Sequence, residues 1–490
     1  MVSTLEQASL KWNYVFNLAN KLTSLVIPLI VTPYITRVFS SDRLGIYTYT
    51  NTVASYFVTF TLMGISMYGS KQISLKRHDD IASNDEYATL LTVQLLNTAL
   101  AMLAYFLYVT FFVSSNQDIY WIQMLYVISA GFDMTWFLSG LERFREIAMR
   151  NVIVNLLSAV LIFIFVHTEV DLGIYTLIKV GTIFVSQLII FVPVFLKQQF
   201  YLVNVKQIKL AYQGLFLLFI PVLADTLFQT MDKVMLGIYA SYAAVGLYYS
   251  SRMITDIPQT VITSLNIVLF PRVTHLLSRG KRAEAEKLFY QSFTLVIALS
   301  IATAFGISAI AKDFVGFFFG TSYESVADYV PSLSLYICLA AWSGTIRYQY
   351  LIPHSMERVY VVAIVVGSGL NLILNVFLIP YFGVYGSITA TIISELSICI
   401  YQTYPIRKEI PLKGLLSYVF IFGGLSYFMY IAIGWLRLFL LGRFTIFLLL
   451  VSEILFGVLI FAIATMIYVY IGNPVLWNMI KKYLESRKKV

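Results

Sequence analysis

Cysteine is almost missing from this chain: Cys338 and Cys399 are the only two among 490 residues. Each lies inside an apolar run, so both read as small buried hydrophobes rather than as a disulfide or a thiolate metal site. Histidine is scarce as well. Its four copies form no His-Glu-x-x-His pair or triad-like cluster, and the one Gly-Lys pair, Gly280-Lys281, is followed by Arg282 instead of the Ser or Thr of a phosphate-binding loop. These absences argue against a hydrolase, a zinc enzyme and direct use of ATP. The expectation is a protein without catalytic residues, metal or cofactor, with H+ or Na+ coupling as its one small-ion requirement. Charge is the third shortage: 12% of residues are charged against 59% hydrophobic, and the mean hydropathy is +0.79. No water-soluble core has that balance.

Apolar runs of about twenty residues, the length of a bilayer-crossing helix at about 1.5 Å per residue, recur throughout. About fourteen can be placed, centred near Val26, Phe57, Leu100, Phe132, Leu157, Phe184, Phe228, Ile262, Ile301, Ile337, Ser368, Ile392, Met429 and Leu459. The opening MVSTLEQASLKWNYV lacks a basic stretch followed by a small-residue cleavage site, so the first span is expected to stay. Positive residues settle on the cytoplasmic side. With the N-terminus inside, Arg37, Arg43, Lys312, Arg437 and Arg443 fall outside; Lys21, Lys179, Lys233, Arg252 and Arg347 fall within spans; the other 24 of the 34 bases fall inside. Both ends are therefore expected in the cytoplasm. The net charge of +9 follows from this asymmetry and from anionic headgroups, with no nucleic-acid partner implied.

The chain also repeats itself. Leu44-Gly45-Ile46-Tyr47 returns as Val245-Gly246-Leu247-Tyr248, a shift of 201, at which Ser40 meets Ser241 and Thr50 meets Ser251. Leu172-Gly173-Ile174-Tyr175 returns as Phe382-Gly383-Val384-Tyr385 at 210, and Trp136 as Trp342 at 206. This near-constant shift maps spans one to six onto seven to twelve in the same direction. It predicts an all-α integral membrane protein with two pseudo-symmetric six-helix lobes, 1–211 and 212–404, facing a cavity, and two extra helices with a basic tail in 405–490. Arg272 to Lys287 is expected to bridge spans eight and nine as a short interfacial helix.

Several spans keep polar faces. Asp225, Gln229 and Asp232 share one helical face of span seven; Asn13, Asn17, Asn20, Lys21 and Ser24 line span one; Arg252, Asp256, Gln259 and Thr263 line span eight. Lys179, Arg347 and the Ser368, Asn371 and Asn375 stripe lie in spans six, ten and eleven. A charge at mid-membrane costs about 2.5 to 3.5 kcal/mol, so these groups should meet water or one another. Asp232 beside Lys233 also reads as a compensated pair, Arg252 with Asp256 as an i, i+4 packing device, and the asparagines as interhelical glue. Lys21, Lys179 and Arg347 have no acid one turn away. With Arg252 they form the expected set for an anionic group such as a pyrophosphate, while Asp225 and Asp232 are expected to couple a proton or Na+.

Four strings carry a resemblance: PYITRVFSSDRLGIYTYTNTVASYF from Pro33; Asp133-Met134-Thr135-Trp136-Phe137 running on to Gly140-Leu141-Glu142-Arg143-Phe144 and Arg150-Asn151; Met231-Asp232-Lys233-Val234-Met235-Leu236-Gly237; and Val245-Gly246-Leu247-Tyr248. Up to about Tyr404 the chain resembles the Wzx-type flippases, the polysaccharide transporter branch of the multidrug/oligosaccharidyl-lipid/polysaccharide superfamily. The resemblance implies two lobes that pass an oligosaccharide repeat unit on undecaprenyl pyrophosphate from the inner to the outer leaflet of a bacterial cytoplasmic membrane, for capsule, O-antigen or exopolysaccharide. It implies membrane lipids, a polysaccharide polymerase and other assembly proteins as partners of a monomeric chain. Lys233 and Trp136 sit in family strings and read equally as structural. Rivals are a multidrug antiporter of the same superfamily, whose cationic drugs suit an acidic cavity, a lipid II flippase, and a membrane polymerase or ligase. For the last, the longest outside connection, Lys312 to Asp328, is short.

Overall fold

The computed structural model describes residues 23, 26–77, 79–201, 203–410 and 412–472. Among these the regular elements are all helical. In order they are α1 (Val26–Val38), α2 (Ser41–Leu62), α3 (Ile65–Lys76), α4 (Asp80–Phe112), α5 (Gln117–Ala130), α6 (Thr135–Gly140), α7 (Phe144–Phe165), α8 (Leu172–Lys197), α9 (Val205–Tyr239), α10 (Tyr242–Ser278), α11 (Arg282–Phe318), α12 (Val326–Ile346), α13 (Glu357–Thr403), α14 (Leu412–Leu440) and α15 (Ile446–Gly472). Ten are long and apolar enough to cross a membrane, and α1 is a shorter apolar helix. Their outer surfaces are greasy: Leu196 and Phe420 are each 79% exposed, an arrangement stable in hydrocarbon and not in water.

Chain breaks follow local chemistry. Asp79 caps α4 by accepting from the backbone N–H of Ile81 and Ala82 at 3.1 and 3.0 Å. Asn204 and Gln207 open α9 with reciprocal bonds, Lys206 N–H to Asn204 Oδ1 at 3.1 Å and Asn204 N–H to Gln207 Oε1 at 3.0 Å. The 47 residues of α13 are two helices meeting at Gly383, whose φ of +52° disfavours any side chain, so the centres at Ser368 and Ile392 fall on separate segments. The centre at Phe132 instead falls in the turn between α5 and α6. Arg272 to Lys287 forms no helix of its own. It is the end of α10 and the start of α11, turned at Arg279–Lys281 where Gly280 takes φ +72°, because apolar Leu276 and Leu277 continue the α10 pattern and Arg282–Glu286 pairs at 2.9 Å inside α11.

The chain forms two compact units, one reaching Tyr249 and adding Leu372–Val384, the other made of Ser250–Asn371 and Tyr385 onward. In the first, Tyr87, Leu90, Met134, Trp136, Phe137 and Leu215 build a core from α3, α4, α6 and α9. The family string around Trp136 has a structural role there. Asp133 Oδ1 accepts from Thr135 N–H at 2.8 Å and its hydroxyl at 2.6 Å, which starts α6, and Trp136 Nε1 donates to buried Gln94 at 3.0 Å. Gln94 in turn donates to the carbonyls of Ala130 and Asp133 at 2.7 and 2.9 Å. Glu142 pairs with Arg77 at 2.5 Å. In the second unit, Phe289, Phe293, Ile297, Ile346 and Phe422 pack α11 against α12 and α14. Cys338 and Cys399 are free thiols there.

The repeated glycines explain themselves in the first unit. A Cβ on Gly45 would lie 1.7 Å from the carbonyl oxygen of Tyr242, and one on Gly246 would lie 2.0 Å from that of Ser41. Ser41 and Tyr242 are themselves 201 residues apart, so the start of α2 and the start of α10 meet reciprocally, each glycine admitting the other helix's backbone.

Candidate functional site

Position along a helix decides which polar groups are buried. On α9, Asp225 and Gln229 are exposed while Asp232, one turn further on, is 3% exposed, so the shared face ends inside the first unit. There Asp232 accepts from the Tyr248 hydroxyl and from Asn375 Nδ2, both at 2.6 Å. The next residue, Lys233, projects elsewhere and holds its ammonium 5.8 Å from the centre of the Tyr249 ring. Tyr248 belongs to the repeated Val-Gly-Leu-Tyr string, and Asn375 is supplied by the Leu372–Val384 segment. Among the partners of Asp232 are thus two neutral donors supplied by two other segments of the chain.

Lys179 lies midway along α8 in the same unit, half-buried, with no ion pair or hydrogen-bond partner for its ammonium among the described residues. Lys21 and its neighbours Asn13, Asn17, Asn20 and Ser24 lie outside the described residues.

The second unit gathers the arginines. Arg252 Nη2 lies 3.0 Å from Asp256 Oδ1, and the guanidinium stacks 4.4 Å from the centre of the Tyr336 ring. The i, i+4 pair anticipated from spacing does form, with an asymmetry: the arginine side chain is 11% exposed and the aspartate 47%. Arg347 follows α12 at the start of a single π-helical turn, Arg347–Leu351. Its guanidinium sits 4.6 Å from the Tyr360 ring and 5.8 Å from that of Tyr348, its buried Nε–H has no acceptor, and no carboxylate lies within 4 Å among the described residues. Rings held over a guanidinium fix its plane and leave its N–H edge available.

Three buried acids among the described residues, Asp313, Glu395 and Glu453, escaped the sequence reading. Glu395 in the second half of α13 is 3% exposed and accepts from the Ser343 hydroxyl at 2.6 Å. The signal was available, since a glutamate interrupting ITATIISELSICIYQ must be satisfied from another helix. The asparagine glue is real elsewhere in this unit. Fully buried Asn266 accepts from Thr345 Oγ1 at 3.2 Å and Gln349 Nε2 at 2.7 Å, joining α10 to the end of α12. The structure therefore brings Arg252, Asp256 and Tyr336 together in one unit, and Asp232, Tyr248 and Asn375 in the other.

The polysaccharide biosynthesis protein family matches residues 10–277, more than half of the sequence. The chain belongs to that family. Among its relatives, the putative O-antigen transporter of Shigella dysenteriae is 20% identical over 389 residues, covering 78% of this chain and 96% of that protein. The probable low-salt glycan biosynthesis flippase Agl15 of Haloferax volcanii is 26% identical over 268 residues, 51% of this chain, and the match spans about half of that relative, 52%. The fold of this family member is that of the lipid II flippase MurJ, solved in an inward closed conformation, with a TM-score of 0.75 at 15% identity over 93% of this chain and 99% of that one. It also matches an inward-facing multidrug resistance MATE family transporter of the MOP superfamily, with a TM-score of 0.59 at 11% identity over 79% and 95% of the two chains. Such low identities speak to fold alone. The resemblance read from the four strings is borne out by the family match, and the chain is a multi-pass membrane protein.

Proposed function

We propose that this protein is a flippase that moves a lipid-linked oligosaccharide repeat unit from the inner to the outer leaflet of the bacterial cytoplasmic membrane by alternating access, in surface polysaccharide assembly. The carrying observation is that Lys179 and Arg347, within apolar helices, have no carboxylate partner among the described residues. An uncompensated cation at such depth costs about 2.5 to 3.5 kcal/mol on insertion scales, a cost recovered when an anion visits the site. A pyrophosphate suits such cations taken one by one: Arg347, in the second unit, offers a fork fixed by Tyr360 and Tyr348, and Lys179, in the first, a point charge. Arg252, in the second unit, would take phosphate in exchange for the exposed Asp256 carboxylate. Lys21 is placed in the same set by its spacing alone.

The same reading keeps the lobes at 1–211 and 212–404, with 405–490 appended, and both ends in the cytoplasm. Outward movement of an anionic headgroup is favoured by an inside-negative potential, at about 2.3 kcal/mol per charge per 100 mV. Asp225 and Asp232 supply the position at which a proton or Na+ adds to that drive. Undecaprenyl pyrophosphate as the lipid carrier, a polymerase as neighbour and a monomeric working state belong to the same proposal.

The test is reconstitution of the purified chain in proteoliposomes with undecaprenyl-pyrophosphate oligosaccharide on one leaflet, an imposed potential, and a readout of cargo appearing on the other. Potential-dependent transfer that falls at least tenfold in Arg347→Ala, with unchanged folding, supports the reading. Exchange of a cationic dye for protons with no cargo movement would overturn it in favour of a multidrug antiporter.

A further inference from the structure

A cavity of about 350 Å3 opens in the first unit where the basic ends of α7 and α8 lie side by side. The sequence builds it with a simple spacing. Arg143, Glu146 and Arg150 recur at three and four residues along the start of α7, which puts them on one face, and Lys197 closes α8 opposite. Arg143 and Glu146 satisfy each other at 2.6 Å. That leaves Arg150 and Lys197 as charges for which the cavity supplies no acid.

Arg150 is the informative one, because it is 8% exposed and held by amide oxygens with no carboxylate in contact. Its Nε and Nη2 donate to Asn151 Oδ1 at 3.1 and 2.8 Å, and its Nη1 to Gln187 Oε1 at 3.0 Å. Three of the five guanidinium N–H groups are spent on neutral amide oxygens and two remain. The nearby Asp133 lies beyond ion-pair distance, with its Oδ1 accepting from the backbone and hydroxyl of Thr135, so its charge reaches Arg150 through space and not by contact. A buried guanidinium oriented by amide oxygens, with N–H groups left over and no carboxylate in contact, marks a place where an anion binds. The walls say which kind. Ile153 and Ile189 line the cavity and are 57% and 49% exposed on the lipid-facing surfaces of α7 and α8, so an occupant with a phosphate at Arg150 has apolar surface on which to lay acyl chains.

We propose that this cavity is a binding site for the phosphate headgroup of an anionic phospholipid of the surrounding membrane, with Arg150 and Lys197 as its ligands and Ile153 and Ile189 as the first surface met by its chains. The site is separate from the cargo residues named above. It gives the protein a resident lipid that braces the ends of α7 and α8.

The experiment uses the full-length protein in nanodiscs, made with phosphatidylglycerol diluted in phosphatidylcholine, transferred to detergent and assayed for retained lipid by mass spectrometry. Phosphatidylglycerol should be retained about tenfold over phosphatidylcholine, the preference expected from one to two basic contacts. Arg150→Gln should abolish it. Should that variant fold poorly, Lys197→Gln, on the exposed end of α8, should reduce retention several-fold while its melting temperature stays normal in phosphatidylcholine. Equal retention of both lipids, or unchanged retention in Lys197→Gln and Arg150→Gln, overturns the proposal. Displacement by millimolar inorganic phosphate assigns the site to free phosphate, and preferential retention of added undecaprenyl phosphate assigns it to the cargo lipid; either outcome also overturns it.

Discussion

Gly45→Ala and Gly246→Ala each add one methyl group at a place where the structure has no room for it. The nearest atoms are the carbonyl oxygens of Tyr242 and Ser41, at 1.7 and 2.0 Å from the new Cβ, whereas an ordinary carbon–oxygen contact needs about 3.3 Å. Both obstacles are backbone, so no rotamer change relieves them, and α2 and α10 must part by about 1.5 Å. Overpacking of this kind costs about 1 to 3 kcal/mol. Alanine also gains up to about 1 kcal/mol of helix propensity over glycine, so a net loss has to come from the close approach. Gly181 is the internal control. A Cβ there meets nothing within 4 Å, and Gly181→Ala should be neutral or mildly stabilising. If α2 and α10 touch in only one conformation of the transport cycle, 1 to 3 kcal/mol shifts the population away from it by about 5- to 150-fold. Maleimide labelling of Ser241→Cys, in a background without Cys338 and Cys399, reads that shift as a faster rate beside a lowered melting temperature. The double variant should do little more than the worse single one, because the same separation relieves both clashes. Singles with unchanged melting and labelling, or a double whose effects add in full, would refute the reciprocal contact.

Asp225→Asn should change how transport depends on external pH or Na+ while leaving the melting temperature within a degree or two, since Asp225 lies exposed on α9. A flippase assay run across pH and with Na+ replaced by K+ would check this, and an unchanged profile would remove Asp225 from the coupling role. Asp133→Ala should destabilise the first unit by about 0.5 to 2 kcal/mol through loss of the α6 start, visible in thermal unfolding, with residual folded protein transporting normally.

Much of the fold was legible because the bilayer imposes a length and a polarity on every span. Thirteen of fourteen span centres fall on helices, and the Leu-Gly-Ile-Tyr family of repeats marks helix starts at Ser41, Leu172 and Tyr242 and the break at Gly383. The misplaced centre near Phe132 has a local cause: Gly131 and the Asp133 cap end one helix and begin another inside a continuous apolar run, where hydropathy has nothing to register. The same blindness made Arg272 to Lys287 look like an interfacial helix, since polarity along a chain does not distinguish a separate helix from the protruding ends of two long ones. Glu395 was passed over because a lone acid in an apolar run gives no hint of its partner, and Ser343 lies 52 residues away in sequence.

Spacing found the charged residues, and hydrogen-bond accounting separates their roles. Asn266 and Gln94 have found neutral partners on other elements, and removing either would leave a buried acceptor or donor unsatisfied, at about 1 to 3 kcal/mol. These are fixtures of packing. Asp232 accepts from the Tyr248 hydroxyl and the Asn375 amide, which ties the repeated Val-Gly-Leu-Tyr string to the Leu372–Val384 segment. Arg252 has a partner on its own helix, but the weaker, exposed half of the pair is the acid, so an anion entering from the open side competes with Asp256 rather than with a buried bond. Arg347 goes furthest, with aromatic rings over its face and a buried Nε–H with no acceptor. A lysine at that position would keep the charge and lose the planar fork. Arg347→Lys should therefore retain part of the transport that Arg347→Ala loses, and equal loss in the two would show that recognition depends on the fork rather than on charge.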